Sequence, residues 1–514
     1  MRIIHTQTLD QRGVVSRNDQ LWIYNGLDAA VTAEVWQHVN AQLTSSPAAA
    51  RLYRFAFGMQ AAALQMMQAG LTVDMAARAE TINKLSGQVT RLQFLLDTLA
   101  REIWGLPLNP NSPKQLAEFF YRAMGLPEQK KYDKKTREMK VHTDRNALEK
   151  LREYFNARPI INIILAIKAT SDIISVLRSG VDPDGQMRCS YNVTGTETGR
   201  WSSSRNVYYR GTNLNNISDW VRKIFIPGPG RKFGQVDLAQ AESVVVAYLS
   251  GDPEYIKACF CGDLHTYVAR MVWPELPWTG DIKKDKAIAK RPFYRHFSYR
   301  DMSKRGGHAS NYMGTPFILA QHLKIEQRVA QEFQERYFAQ FPGIPRWHRS
   351  TIFTLQTERK LTTPLGRVRY FFGRPDDKET WKEAIAHVPQ SVIGDVLNVG
   401  LWRAARAGVD IRAQVYDSIL FEFPDGEDDY WVPLVLTCVK VPVPVNGQLM
   451  VIGADAAVGW NWSQDKEERG DNPHGLIDYV PGGDRRRRPP VLSGAEAAQP
   501  LLDRVLRIGY GLCK

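Results

Sequence analysis

Cysteine is scarce and unpatterned in this sequence: Cys189, Cys259, Cys261, Cys438 and Cys513 are the only five in 514 residues. An odd, scattered set supplies no disulfide framework, which points to a reducing compartment. Long apolar runs are missing as well. The best candidate, IINIILAI at 160–167, falls far short of the roughly 18–20 residues of a membrane span and suits a core helix. The opening MRIIHTQTLDQRG lacks the apolar stretch of a secretory leader, so a cytoplasmic protein with no membrane partner is expected. No internal repeat of solenoid type is found, and acid is in deficit: 54 Asp and Glu stand against 67 Lys and Arg, a formal net charge of +13.

The positive excess is concentrated. Residues 281–305 carry nine basic against three acidic side chains, and residues 130–145 carry seven against three. Basic side chains interleaved with aromatics, as in KRPFYRHFSYRDMSKR, suit either a phosphate-bearing ligand or a solvated face. The length allows about two to four domains or subdomains. Residues 50–100 have helical periodicity and read as long antiparallel helices, with Gly70 as a C-cap. Ser112 followed by Pro113 opens another helix. The lysine-rich stretch 130–145 reads as an exposed loop. Short strands follow over 186–250, mainly helix over 251–360, helix again over 378–408, and strands at 411–423, 431–444 and 447–454. Strands from distant parts of the chain with helices between them suggest an α+β sheet interrupted by a helical insertion. Beyond about 470 the chain is polar and basic, with RRRRPP at 485–490, and reads as a tail.

Two aspartates sit where strands are expected. In QVYDSILFEF, Asp417 is either the tip of a tight hairpin or a carboxylate presented to a metal ion. In GQVDLAQAESVVVAYLSGD, Asp237 is either a helix N-cap or the partner carboxylate. Two carboxylates at neighbouring strand ends are suited to binding a pair of Mg²⁺ ions for phosphoryl transfer. Between them, Arg300, Lys304, His308 and Tyr312 recur every four residues and would share one helical face. Basic residues at i,i+4 repel unless an anion lies against both. Gly306 and Gly307 weigh against the helix by about 1 kcal/mol each, so a basic loop is the alternative.

In this order, VDLAQAESVVVAYLSGD, RDMSKRGGHASNYMG and QVYDSILFEF resemble motifs A, B and C of family A DNA polymerases, particularly their bacteriophage members. TETGRWSSS with NLNNI, DLHTYVA, VPQSVIGDVLN, LNPNSPKQL and VGWNW are similar to supporting segments of that family, so the resemblance spans roughly 50–465. It implies an α+β right-hand polymerase fold with an antiparallel-sheet palm, helical fingers and a helical thumb. The implied division is 1–48, the end of an exonuclease-like domain; 49–185, thumb; 186–250, first palm segment; 251–375, fingers; 376–468, second palm segment; and 469–514, tail.

The resemblance also implies roles. Asp237 and Asp417 would bind two Mg²⁺ ions, for which Mn²⁺ substitutes, with the Leu238 carbonyl as a further ligand. Arg300 and Lys304 would bind the triphosphate, Lys304 also serving as a general acid, with Gln240 and His265 beside them. Glu242 would crowd the sugar 2′ position, and His308 and Tyr312 would flank the base. Arg200, Asn213, Asn216, Gln390 and Tyr416 would contact primer-template DNA, and Lys130, Lys131, Lys134 and Lys135 would grip duplex phosphates. The implied partners are primer-template DNA, dNTPs and other replication proteins, the chain itself being a monomer. The chain departs from the family at His308, where Phe or Tyr is usual, at Tyr416, where His is usual, and at Ser418, where an acid is usual. YNGLDAAVT, with Tyr24 and Asp28, resembles the last motif of the 3′–5′ exonuclease domain, and only 23 residues precede it, so incomplete proofreading is expected. The competing readings are a single-subunit RNA polymerase, against which Glu242 argues, and a catalytically silent DNA-binding factor.

Overall fold

The computed structural model describes residues 17–133, 136–218, 221–294, 297–463 and 472–482. Helix α1 (Arg17–Ser45) has no buried residue, and it leads into α2 (Pro47–Ala69). Gly70 ends α2 at φ 68° as expected, its amide donating to the Met66 carbonyl. Helix α3 (Met75–Trp104) begins at Asp74, whose carboxylate accepts the Ala77 amide and so satisfies one of the free donors of the first turn.

The two long helices of this region do not pack as an antiparallel pair. α3 lies along α4 (Arg158–Leu177), while α2 lies against the central part of the molecule. Leu96, Ala100, Phe119, Phe120, Ile160, Ile161, Ile164 and Ile167 form a second core, separate from the main one. α4 alone among the described helices is long and apolar enough to cross a membrane; its isoleucines fill this core. Ser112 caps the next helix, accepting the Gln115 amide, with Pro113 at its start. The lysine-rich stretch is not a loop. β1 (Lys130–Asp133) and β2 (Glu138–Val141) form an exposed antiparallel hairpin.

The central sheet takes strands from three distant segments. β3 (Arg231–Leu238) runs into α5 (Ala241–Ser250), α6 (Leu264–Val272), α7 (Tyr299–Asn311) and α8 (Gln327–Gln340). After α9 (Lys378–Arg406), the chain returns as the hairpin β4 (Asp410–Val415) and β5 (Ser418–Pro424). α10 (Asp428–Val439) follows, and then β6 (Ala454–Gly459) and β7 (Ile477–Asp478). The order is β4-β5-β3-β6-β7, antiparallel throughout.

Two expectations are corrected here. Residues 428–439 are helix rather than strand, because the valine-rich run buries Val432, Val435 and Val439 with α10 packed on α9; β propensity yields to that packing. Part of the expected tail is structural, since residues 477–478 supply the edge strand and Tyr479 donates to the Ala456 carbonyl. RRRRPP lies outside the described residues.

Candidate active site

The hairpin turn between β4 and β5 has two residues, Tyr416 and Asp417. Tyr416 adopts φ 54°, the left-handed conformation that a two-residue hairpin loop favours. The turn reading of Asp417 therefore holds: it lies in the two-residue turn between β4 and β5. β5 pairs with β3 so that Ser418 lies opposite Asp237, and the Leu238 amide donates to the Asp417 carbonyl at 3.1 Å. Sheet register alone brings the two aspartates together. Asp237 is not an N-cap, since α5 starts from Gln240, which sits at φ 51° with no side-chain cap.

α7 forms with Ser298 and Asp301 as a reciprocal capping box. Its two glycines meet close neighbours: a β-carbon at Gly306 would overlap the Phe333 ring, and one at Gly307 would lie 3.4 Å from Tyr337. Tight packing on α8 thus offsets the propensity cost that made a loop the alternative. Arg300, Lys304 and His308 share one face of α7, and Tyr312 caps its end.

One open cavity of about 580 Å³ is lined by Asp237, Leu238, Gln240, Glu242, His265, Lys304, His308 and Asp417, among others. The Glu242 carboxylate lies 3.1 Å from His308 Nδ1 and 3.7 Å from Arg200. Burial acts to raise its pKa, but His308 and Arg200 bring it below the usual value. The His308 and Tyr312 rings meet edge to face at 5.0 Å, and burial, with Glu242 adding, raises the Tyr312 phenol. Burial, with Arg300 close by, lowers His265 to about 4; it is a neutral imidazole at neutral pH.

Arg300 does not line the cavity. Its guanidinium straddles Asp263, with contacts of 3.0–3.2 Å to the two carboxylate oxygens. Asp263 also caps α6 through the Thr266 amide, and Lys286 lies 3.4 Å away. Burial works against its ionisation, yet the Arg300 and Thr266 bonds bring Asp263 down to about 2. Lys304 is exposed and has no ion pair among the described residues.

Arg200 is held from behind. A β-carbon at Gly394 of α9 would lie 3.3 Å from Arg200 Cγ, and Asn398 donates to the Gly199 carbonyl at 3.1 Å. Gln390 is one turn from Gly394 on the same helix face. Asn213 spends its side-chain oxygen on Ser203 and on the Asn215 amide, and Asn216 is exposed. Lys130 and Lys131 stand on the remote hairpin with Glu128 at 3.1 Å and Asp144 at 3.8 Å; Lys134 and Lys135 lie outside the described residues. Tyr24 and Asp28 are on exposed helix α1.

The structure adds two acids that the sequence pattern does not single out. Asp263 has the signal of a helix N-cap only. Asp455 on β6 lies directly opposite Asp237, so its side chain shares that face of the sheet.

A divalent cation fits this donor set. Burial raises the Asp417 carboxyl, and no cationic side chain lies within ion-pairing distance of it among the described residues. No group of three or more His, Cys, Asp or Glu side chains with metal-binding geometry occurs among the described residues. Mg²⁺ does not require one, because it is held by one or two carboxylates and completes its shell with water and substrate phosphates.

A profile of the family described as DNA polymerase family A matches residues 79–464. DNA polymerase I of Mycobacterium tuberculosis (strain ATCC 25618 / H37Rv) is 26% identical over 465 residues, covering 85% of this chain and 47% of the relative. The thermostable DNA polymerase I of Thermus aquaticus is 27% identical over 478 residues, covering 88% of this chain and 53% of the relative. The chain therefore spans about half the length of the curated relatives it matches. Among solved structures, the POL domain of Pol1 from M. smegmatis, in complex with DNA primer-template and dNTP, superposes with a TM-score of 0.67 over 90% of this chain and 79% of that one, at 24% identity. The fold is the right-hand fold of that domain. Because the family match runs without interruption through both aspartate strands and the basic helix between them, the chain belongs to DNA polymerase family A.

Proposed function

We propose that this chain is a template- and primer-dependent DNA polymerase that adds dNTPs to a primer 3′-hydroxyl, using two Mg²⁺ ions or Mn²⁺ in their place. One observation carries the reading: two carboxylates set side by side by sheet register face Lys304 and His308 across a single cavity. When bound, the two cations would lower the pKa of the attacking hydroxyl and offset charge on the triphosphate. The chain's own residues do the rest. Asp237 and Asp417 hold the cations, with the Leu238 carbonyl as a further candidate ligand.

Lys304 places its ammonium against the triphosphate and is positioned to protonate the leaving pyrophosphate. Arg300 reaches the phosphates on releasing Asp263. His265, neutral at pH 7, donates a hydrogen bond rather than a charge. Glu242, fixed by His308 and Arg200, occupies the space that a ribose 2′-hydroxyl needs, and Tyr312 floors the base pocket beside His308. Arg200 and Gln390 read minor-groove acceptors common to all correct pairs. Asn213, Asn216 and Tyr416 add contacts to the primer-template, and the hairpin bearing Lys130 and Lys131 holds the duplex behind the site. Residues 49–185 correspond to the thumb, 186–250 and 376–468 to the palm, and 251–375 to the fingers; the palm also takes in residues 472–482.

Phage genome replication, a cytoplasmic setting, a monomeric state and further replication partners belong to this proposal. Incomplete proofreading within this chain belongs to it as well. Primer extension with Mg²⁺, comparing dNTPs with rNTPs, tests the reading. Templated dNTP addition that is lost in Asp237→Ala and Asp417→Ala supports it. Preferential rNTP addition would favour an RNA polymerase, and binding without extension would favour a silent DNA-binding factor.

A further inference from the structure

Lys304 and His308 line the cavity from one face of α7, and Arg300, on the same face, does not. Its Nε donates to both oxygens of Asp263 at 3.2 Å, and its Nη2 donates to one of them at 3.0 Å. The Nε–Nη2 edge is one that pairs two-pronged with a carboxylate or with a phosphate, and the same edge cannot hold both at once. The cavity is nevertheless close. Lys304 stands four residues farther along the helix, about 6 Å of rise, a span that an arginine side chain covers. Asp301, the other acid of this turn, is committed to the capping box with Ser298.

Asp263 can lose its arginine without being left alone. It is the N-cap of α6, its Oδ1 accepting the Thr266 amide at 2.9 Å, where the free amides and the helix dipole favour a negative charge. Lys286, an exposed residue of the helix Ile282–Ala289, lies 3.4 Å from Oδ2. One carboxylate therefore faces two cations. Arg300 shares its helix with the cavity-lining Lys304, whereas Lys286 stands on a separate helix. His265, two residues after Asp263, also lines the cavity, so the carboxylate and the cavity meet within the first turn of α6. Such an arrangement suits exchange: one cation can be withdrawn and the anion remains paired.

We propose that Asp263 is a positioning residue for nucleotide entry: it holds Arg300 out of the cavity until a triphosphate takes over the guanidinium, and Lys286 then remains as the counter-ion of the carboxylate. The exchange replaces one charge-assisted pair by another, so the cost of breaking Asp263–Arg300 is subtracted from the affinity gained at the phosphates. Lys286 reduces that cost by staying behind. The two residues should therefore act with opposite signs: neutralising Asp263 tightens anion binding, and removing Lys286 loosens it. Both effects should vanish without Arg300. A carboxylate that merely aimed Arg300 at the phosphates would give the reverse, because its loss would weaken binding. The inference rests on the proposed function for the identity of the anion as a triphosphate.

The test is calorimetric titration of the full chain with inorganic tripolyphosphate in excess Mg²⁺, paired with the dNTP dependence of single-nucleotide incorporation. Asp263→Asn keeps α6 capped, because Asn caps a helix as well as Asp does. It should bind tripolyphosphate up to about fivefold more tightly, the scale of one partly exposed ion pair, and lower the KM for dNTP with no gain in kcat. Lys286→Gln, at an exposed position, should weaken binding about twofold. Asp263→Asn/Lys286→Gln should match Asp263→Asn alone, since the lysine then has no carboxylate to hold. Arg300→Ala should weaken binding, and adding Asp263→Asn to it should change nothing; a gain that persists there would reflect only the removal of a nearby negative charge and would overturn the exchange. Unchanged or weaker binding by Asp263→Asn, or unchanged binding by Lys286→Gln, would overturn it as well. If the shifts appear in the titration while no primer is extended, the polymerase reading fails and the exchange stands; if Asp263→Asn extends primers at the wild-type KM, the exchange alone fails.

Discussion

Asp237 stands on β3 and Asp417 in the turn that leads into its partner β5, and the pairing register leaves them little freedom relative to each other, whereas Arg300 and Lys304 stand on a helix that packs on α6 and α8. On the sheet side, position is set by a backbone ladder, and the proposed chemistry hangs on the carboxylates themselves. On the helix side, position depends on side-chain packing: a glycine pair against Phe333 and Tyr337, and an arginine tethered to Asp263. The difference teaches that changes on the sheet wall should act nearly all or none on chemistry, and changes on the helix wall by degrees.

The sharpest way to break that comparison is Asp237→Ala or Asp417→Ala. Weakened cation binding removes several kcal/mol of transition-state stabilisation, so single-turnover extension should fall at least about 10³-fold while primer-template binding persists. Near wild-type extension by either variant would remove the sheet wall from the chemistry. Lys304→Ala should cost less, about 10²-fold in the rate of incorporation, as expected when a general acid and phosphate ligand is removed. Rapid-quench kinetics on pre-bound DNA would report it, and a change in DNA affinity alone would contradict the assignment.

Gly306→Ala probes packing without touching charge. Forcing a methyl group into the Phe333 ring should destabilise the fold by about 1–3 kcal/mol, read as a lower melting temperature; unchanged stability would mean that α7 is not held by this packing. Glu242→Ala should raise ribonucleotide use relative to deoxyribonucleotide by about tenfold or more, on the scale of a small steric exclusion. An unchanged ratio would place sugar selection elsewhere. The smallest effect is expected from Lys130→Ala/Lys131→Ala on the remote hairpin. Products per binding event should shorten and the salt slope should fall by about two at most, since each lysine already faces an acid.

The parts of this molecule that are legible in its sequence are those fixed by local chemistry. Ser112 before Pro113 is a cap in sequence and in structure, and Asp417 is in a tight turn because two residues are all that separate two strands. The helix at 378–408 is readable from its length and appears as Lys378–Arg406. What escapes needs a partner from elsewhere. Residues 428–439 look like strand until α9 is present to cover their valines, and residues 477–478 are a strand only because β6 offers an open edge. Asp455 comes to lie opposite Asp237 through sheet register, which no local pattern specifies. Arg300 belongs on the basic face of α7 as its spacing predicts, but its bond to Asp263 joins two helices that sequence alone does not align.

The placement of β3 between β5 and β6 governs when this site can come into being. During synthesis the strand bearing Asp237 emerges about 180 residues before the turn bearing Asp417. At typical elongation rates of about 5–20 residues per second, that interval is on the order of ten seconds or more. Throughout it β3 has neither neighbour, and both of its edges are open to pairing with other strands. The helices from α5 to α8 can fold in that time from contacts among themselves, whereas the ladder must await long-range closure, the slower kind of event. The proposed reactive centre is therefore among the last parts of the nascent chain to mature, and a ribosome-bound intermediate holds the basic helix before it holds either aspartate-bearing segment in place.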